Sequence, residues 1–154
     1  AAFTADCTPV LLHDPVTGAV GAVHAGWRGT VGDIVGNAVR AMCEHFGSRP
    51  EDIRAAIGPN IGVCCFETHE DVPNAVRAVL GEEAEGFIVP SGEKFRVDLK
   101  GVNAALLRRC GVKDIEISCD CTACRPDRFW SHRRVGNDRG SLAAIIVCEG
   151  GDTK

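Results

Sequence analysis

Nine cysteines in 154 residues restrict the fold more than any other feature of this chain. The count is odd, Cys64 and Cys65 are adjacent, and Cys119, Cys121 and Cys124 crowd into six residues. A disulfide scaffold usually shows an even count in a shorter chain. The thiols therefore read as reduced, in a cytoplasmic protein. Most would pack as small hydrophobes, with one or two available to a metal. A hydrophobic core must then hold the chain, and 45% hydrophobic residues at this length supply one.

Charge and hydropathy narrow the partners. Seventeen Lys and Arg against twenty-one Asp and Glu give a net charge of −4, which argues against a polyanion such as nucleic acid. The longest apolar run, residues 142–148, is far too short to span a membrane. Ala1 opens directly on a strand pattern, so no signal peptide is expected.

Local pattern gives the elements. Residues 3–13 read as a strand, residues 14–18 as a Pro/Gly turn, and 19–24 as the returning strand of a hairpin. The Gly26-Trp27-Arg28-Gly29 turn leads to Thr30 as a helix N-cap. Val31, Ile34, Val35, Ala38, Val39, Met42 and Phe46 follow as one helical stripe that Gly47 ends. A strand is expected at 53–57, and a capping box at 68–71 starting a helix to Leu80. An acidic surface loop at 81–86 and a strand at 95–98 come next, then a helix to Cys110 stopped by Gly111 and a strand through Ile115 and Ile117. Residues 119–140 show no periodicity, 141–148 read as a buried closing strand, and 149–154 as a frayed tail. Strands and helices mix without strict alternation, which makes an α+β domain with a mixed β-sheet packed by helices, single over residues 1–154.

If the hairpin loop is residues 14–17, opposed residues sum to 31 and Cys7 lies across from His24. Directly opposed residues share a face with Cβ atoms roughly 5 Å apart, while a slip of one residue would separate them. A thiol and an imidazole so placed can share a metal or act as nucleophile and base; the plainer alternative is a buried Cys beside a hydrogen-bonded His. His24 runs into a glycine-rich turn opening a helix, a ready anion site, and Arg28 adds a bidentate donor.

The blocks Thr4-Ala5-Asp6-Cys7-Thr8-Pro9-Val10 and Val23-His24-Ala25-Gly26-Trp27-Arg28-Gly29 strongly resemble the YfiH-like family, long labelled polyphenol oxidase laccases. The run from Ile57-Gly58-Pro59-Asn60-Ile61-Gly62 through Cys64-Cys65-Phe66-Glu67 matches its next block. Asp98-Leu99 with Asn103, Cys121-Thr122 and residues 129–134 match later ones. The resemblance implies a zinc-dependent purine nucleoside phosphorylase with adenosine deaminase activity, acting on purine nucleosides and phosphate. It places the metal on Cys7 and His24, and a further family His in a segment upstream of the first block, so that this chain would be the C-terminal part of the family domain.

Other residues follow from their types. Arg133, Arg134 and Arg139 form a basic cluster in an acidic protein, readable as an ion-paired loop or as a phosphate clamp together with Arg28. Glu67 is the carboxylate best placed for acid–base work. Cys119, Cys121 and Cys124 could make a structural zinc knuckle with Cys110 or His132 as fourth ligand but lack the paired CxxC spacing such sites show, whereas Cys64-Cys65 reads as a packed turn. The resemblance puts an aromatic near His132, so no metal role is expected of it. His13, His45 and His69 read as structural or exposed. One thiolate and two imidazoles cannot host a multicopper relay, although copper could replace zinc at Cys7–His24. Two rivals are a metal-independent cysteine hydrolase or deamidase using Cys7 and His24, and a non-catalytic truncated module.

Overall fold

A computed structural model describes residues 1–148. Its centre is a four-stranded sheet in the order β3-β2-β4-β8, formed by β2 (Thr8–His13), β3 (Val20–Ala25), β4 (Arg54–Ile57) and β8 (Asp114–Ile117). β2 pairs antiparallel with β3 and β4, while β4 and β8 run parallel, joined by a crossover of residues 58–113 that holds both helices and strands. The mixed α+β domain expected from the pattern is the one formed. Val10 and Leu12 are fully buried, whereas Leu11 and His13 turn to a more open side. That alternation marks a sheet covered on one face.

The covering layer comes from α2 (Ile34–Phe46) and α4 (Leu99–Arg109). Val35, Val39 and Met42 of the first and Val102, Ala105 and Leu107 of the second share one core with Val10, Leu12 and Ile57. A three-stranded sheet, ordered β5 (Glu67–Thr68), β7 (Lys94–Val97), β6 (Ile88–Ser91), lies beside α3 (Asp71–Leu80). β1 (Ala2–Thr4) pairs antiparallel with β9 (Leu142–Ala144). Among the described residues no helix is long and apolar enough to cross a membrane.

Several elements depart from the expected pattern. The first helix begins earlier, as α1 (Trp27–Val31), and breaks at Asp33, whose φ of 55° is left-handed. Thr30 is inside α1, fully buried, and its Oγ1 accepts from Asn103 Nδ2 at 3.0 Å instead of capping. No side-chain cap forms at Glu70 before α3, and the acidic segment Gly81–Phe87 is a 3-10 helix that buries Ala84. The closing strand is three residues long. Its apolar continuation is exposed at Ile145 (63%) and Val147 (73%), because the ladder with β1 ends at the Ala2–Ala144 pair. The frayed tail expected at 149–154 lies outside the described residues.

Candidate active-site cleft

The hairpin loop sets where the first candidate pair meets. Asp14 N donates to Ala19 O at 2.9 Å and Gly18 N to Asp14 O at 2.8 Å, so the loop runs over residues 14–19. That is two residues longer than the turn signal implied. His24 therefore opposes Pro9 rather than Cys7. Cys7 lies in the bend just ahead of β2, two residues before Pro9 and outside the ladder. A Cβ built on Gly26 would lie 3.2 Å from Cys7 Sγ and 3.9 Å from His24 Nε2. The pair thus converges on a space that glycine leaves open.

Asp6 organises the surroundings. It is buried and holds φ at 82°, a conformation few residues other than Gly, Asn and Asp tolerate. Its Oδ1 accepts from Thr122 Oγ1 at 2.6 Å, and its Oδ2 from Ser131 Oγ at 3.1 Å and the Arg133 backbone N at 2.6 Å. Its carbonyl accepts from Ile61 N at 3.0 Å. One carboxylate thereby draws the aperiodic segment 119–140 against the bend at residues 5–7, which carries Cys7 and splits the single strand expected over residues 3–13 into β1 and β2.

The result is a cleft of about 230 Å³ lined by Ala5, Asp6, Cys7, Ile61, Phe66, His132, Arg133 and Arg139. Arg139 Nε donates to His132 Nδ1 at 3.2 Å. Arg133 donates to Cys65 O at 3.2 Å and Glu67 O at 3.0 Å, with its guanidinium 5.9 Å from the Phe66 ring centre. Neither arginine makes an ion pair among the described residues, so two cations face the cleft of an acidic protein. Burial, then the Asp6 charge, push the Cys7 thiol up, and Arg139 only partly opposes them. That is the opposite of the depression that activates a free catalytic cysteine.

The other candidates sit elsewhere. Arg28 is exposed, with its guanidinium 4.4 Å from the Trp27 ring centre, on a helix of only five residues. Arg134 braces Ala123 O at 3.3 Å. The Glu67 carboxylate takes a 3.0 Å contact from Lys94 Nζ in the β5–β7 ladder, and that hydrogen bond holds it below the usual carboxylate range. It does not line the cleft. Sequence reasoning gave no role to Asp6, Phe66 or Ile61 and expected none for His132, yet all four line it. The only advance signal was that Asp6, Ile61 and Phe66 stand within the matched blocks.

The cysteines also regroup. The Sγ atoms of Cys64, Cys65, Cys121 and Cys124 all lie within 4.8 Å of one another. The knuckle weighed for Cys119, Cys121 and Cys124 is not the group formed: Cys119, Cys110 and His132 are outside it, because the loop holding Cys121 and Cys124 meets a second loop rather than folding on itself. Cys64-Cys65 does form a turn, with Cys65 N and Phe66 N both donating to Gly62 O at 2.9 Å.

Comparison with known proteins agrees with this architecture. A purine nucleoside phosphorylase of Deinococcus radiodurans is 42% identical over 144 residues, covering 93% of this chain and 54% of its own length. An adenosine deaminase, RL5, from an unidentified prokaryote is 38% identical over 140 residues, covering 89% of this chain and 53% of its own. The crystal structure of YlmD from Geobacillus stearothermophilus superposes with a TM-score of 0.85 at 37% identity, covering 90% of this chain and 53% of that one. The chain spans about half the length of these relatives. With a family profile described as multi-copper polyphenol oxidoreductase laccase matching residues 1–149, the chain belongs to that YfiH-like, laccase-labelled family.

Proposed function

We propose that this chain supplies two metal ligands and the anion-binding wall of a purine nucleoside phosphorylase centre, with deamination of adenosine as a second outcome there. The observation that carries the reading is the convergence of Cys7 Sγ and His24 Nε2 above Gly26, beside a cleft walled by two unpaired arginines. The names of relatives about twice this length support it.

The donor set fits a metal. A thiolate with an imidazole suits zinc, with copper as the alternative, and Gly26 leaves room for an ion between them. Catalytic zinc takes three protein ligands, so the pair needs one more, from another segment, another chain, a nearby residue or water. Once bound, zinc supplies Lewis-acid polarisation and an activated water.

The chain's own residues do the rest. Arg139 and Arg133 would hold phosphate, and the Phe66 ring and Ile61 would offer the purine an apolar surface. Phosphate fixed there can attack the ribose C1′ as the C1′–N9 bond breaks, and the base leaves with the electron pair and gains a proton. The buried Asp6 carboxylate keeps the arginine-bearing segment in place throughout. In deamination, water adds at C6 and ammonia departs.

Product analysis tests this. Adenosine and inosine are incubated with zinc, with and without phosphate, using this chain and the longer polypeptide that would contain it. Free base and ribose 1-phosphate formed only with phosphate, and lost in Cys7→Ser and His24→Ala, support phosphorolysis; inosine formed from adenosine without phosphate supports the deaminase outcome. Turnover that survives chelation but not thiol alkylation would instead make Cys7 a hydrolytic nucleophile. No turnover by the longer, zinc-loaded polypeptide overturns the reading.

A further inference from the structure

We infer that Cys64, Cys65, Cys121 and Cys124 form a tetrathiolate zinc site, separate from the Cys7–His24 pair, which clamps two loops behind the cleft. Cys64 Sγ lies 3.6 Å and Cys65 Sγ 3.4 Å from Cys124 Sγ, with all four sulfurs within 4.8 Å. Zinc–sulfur bonds of about 2.3 Å in a tetrahedron set the sulfurs about 3.8 Å apart, so a small adjustment admits the ion. A disulfide would need about 2.05 Å, and Cys124 stands nearly equally close to two candidates.

The surroundings are those of a built site. Gly62 N donates to Cys121 Sγ at 3.2 Å, the kind of backbone contact that stabilises a bound thiolate. A Cβ on Gly62 would meet Cys121 Cβ at 3.2 Å and Cys64 Sγ at 3.3 Å, so glycine is what lets the loops close up. Thr122 N donates to Asn60 O at 2.9 Å beside the Asn60–Cys121 bridge, registering one loop against the other. Ile61, Ala123 and the Phe66 ring pack beneath. Cys64 and Cys124 are exposed, which leaves a path for the ion.

Charge closes the case. Four thiol protons leave as four zinc–sulfur bonds form, and the product carries a net charge of −2. Arg133 donates to Cys65 O and Arg134 to Ala123 O, so each cysteine loop carries a guanidinium. Those two arginines are unpaired by any carboxylate among the described residues. The clamp has a consequence for the cleft, because Ile61, Phe66 and Arg133 belong to or brace the same loops.

The test avoids the proposed catalytic metal altogether. In a Cys7→Ser/His24→Ala double variant kept reduced, cobalt(II) titration is expected to give intense thiolate-to-metal absorption, abolished by adding zinc. Alkylation with mass mapping should find these four thiols protected by zinc and Cys119 open. Cys64→Ser and Cys124→Ser, both at exposed positions, should each weaken cobalt binding and lower the intensity of the absorption, and the two together should abolish it, while the far-ultraviolet circular dichroism stays unchanged. Absence of the absorption in the reduced double variant overturns the inference, as does its undiminished persistence when Cys64→Ser and Cys124→Ser are combined, or a disulfide among these cysteines in the freshly isolated protein.

Discussion

Gly26 is defined by what a side chain there would touch. Its φ of −67° and ψ of 165° suit any residue, so alanine costs the backbone nothing. The added carbon would stand 3.2 Å from Cys7 Sγ and 3.9 Å from His24 Nε2, in the space assigned to the metal. Gly26→Ala is therefore expected to fold as the parent does and to bind zinc at this pair on the order of 10–100-fold more weakly. Calorimetric zinc titration with the four-cysteine site already filled reads this directly. Unchanged affinity would move the metal elsewhere. The chemistry of Cys7 and His24 was legible in the sequence because thiol and imidazole announce themselves. Asp6 was not, since an aspartate that accepts from Thr122, Ser131 and Arg133 looks like any other until those residues, more than a hundred positions away, are folded against it.

At the scale of elements, the hairpin loop shows what periodicity misses. Pro15 and Gly18 correctly marked a turn, but its length is set by the Asp14 side chain. Asp14 Oδ1 accepts from Val16 N at 2.8 Å and Oδ2 from Thr17 Oγ1 at 2.9 Å, and these bonds carry the loop on to Ala19. Two extra residues moved the register from Cys7 to Pro9 opposite His24. The break before α2 escaped for a similar reason, because Thr30 looks like a cap until Asn103 reaches it from 73 residues away. Burial pushes the Asp14 carboxyl up, but hydrogen bonds from Ser48, Val16 and Thr17 outweigh that and hold it below the usual range. A carboxyl depressed in the folded state stabilises above its unfolded value, ordinarily about 3.9, and loses that contribution as pH falls through the folded value. Asp14→Ala should cost about 1–3 kcal/mol at pH 7. Urea unfolding from pH 7 down to pH 3 should show the gap between parent and variant narrowing below about pH 4. A constant gap would mean the loop is held by shape and not by the charge.

At the scale of the whole molecule, hydrophobic periodicity and turn residues were enough for the α+β class and most elements, and the matched blocks added the family. The four-cysteine group did not, because each half looks complete where it stands: Cys64-Cys65 as a turn, Cys119–Cys121–Cys124 as a knuckle. Only the packing of two loops some sixty residues apart joins Cys64 and Cys65 to Cys124. With disulfides absent among the described residues, such a site would be the one covalent tie between distant segments, and its removal should register in global stability. A ligand present at a thousand times its dissociation constant stabilises the native state by about 4 kcal/mol. For a chain of this size that is on the order of 10 °C in melting temperature. Stripping zinc with a strong chelator is expected to lower the melting temperature of the Cys7→Ser/His24→Ala variant, and of the parent by at least as much because the parent also gives up zinc at Cys7–His24, and to lower Cys124→Ser in the Cys7→Ser/His24→Ala background almost not at all. Equal losses with and without Cys124→Ser in that background would place the stabilising ion outside the cluster. The cleft should weaken alongside, because Arg133 is anchored on Cys65 O and Glu67 O, and a loop released from zinc no longer fixes where that guanidinium points.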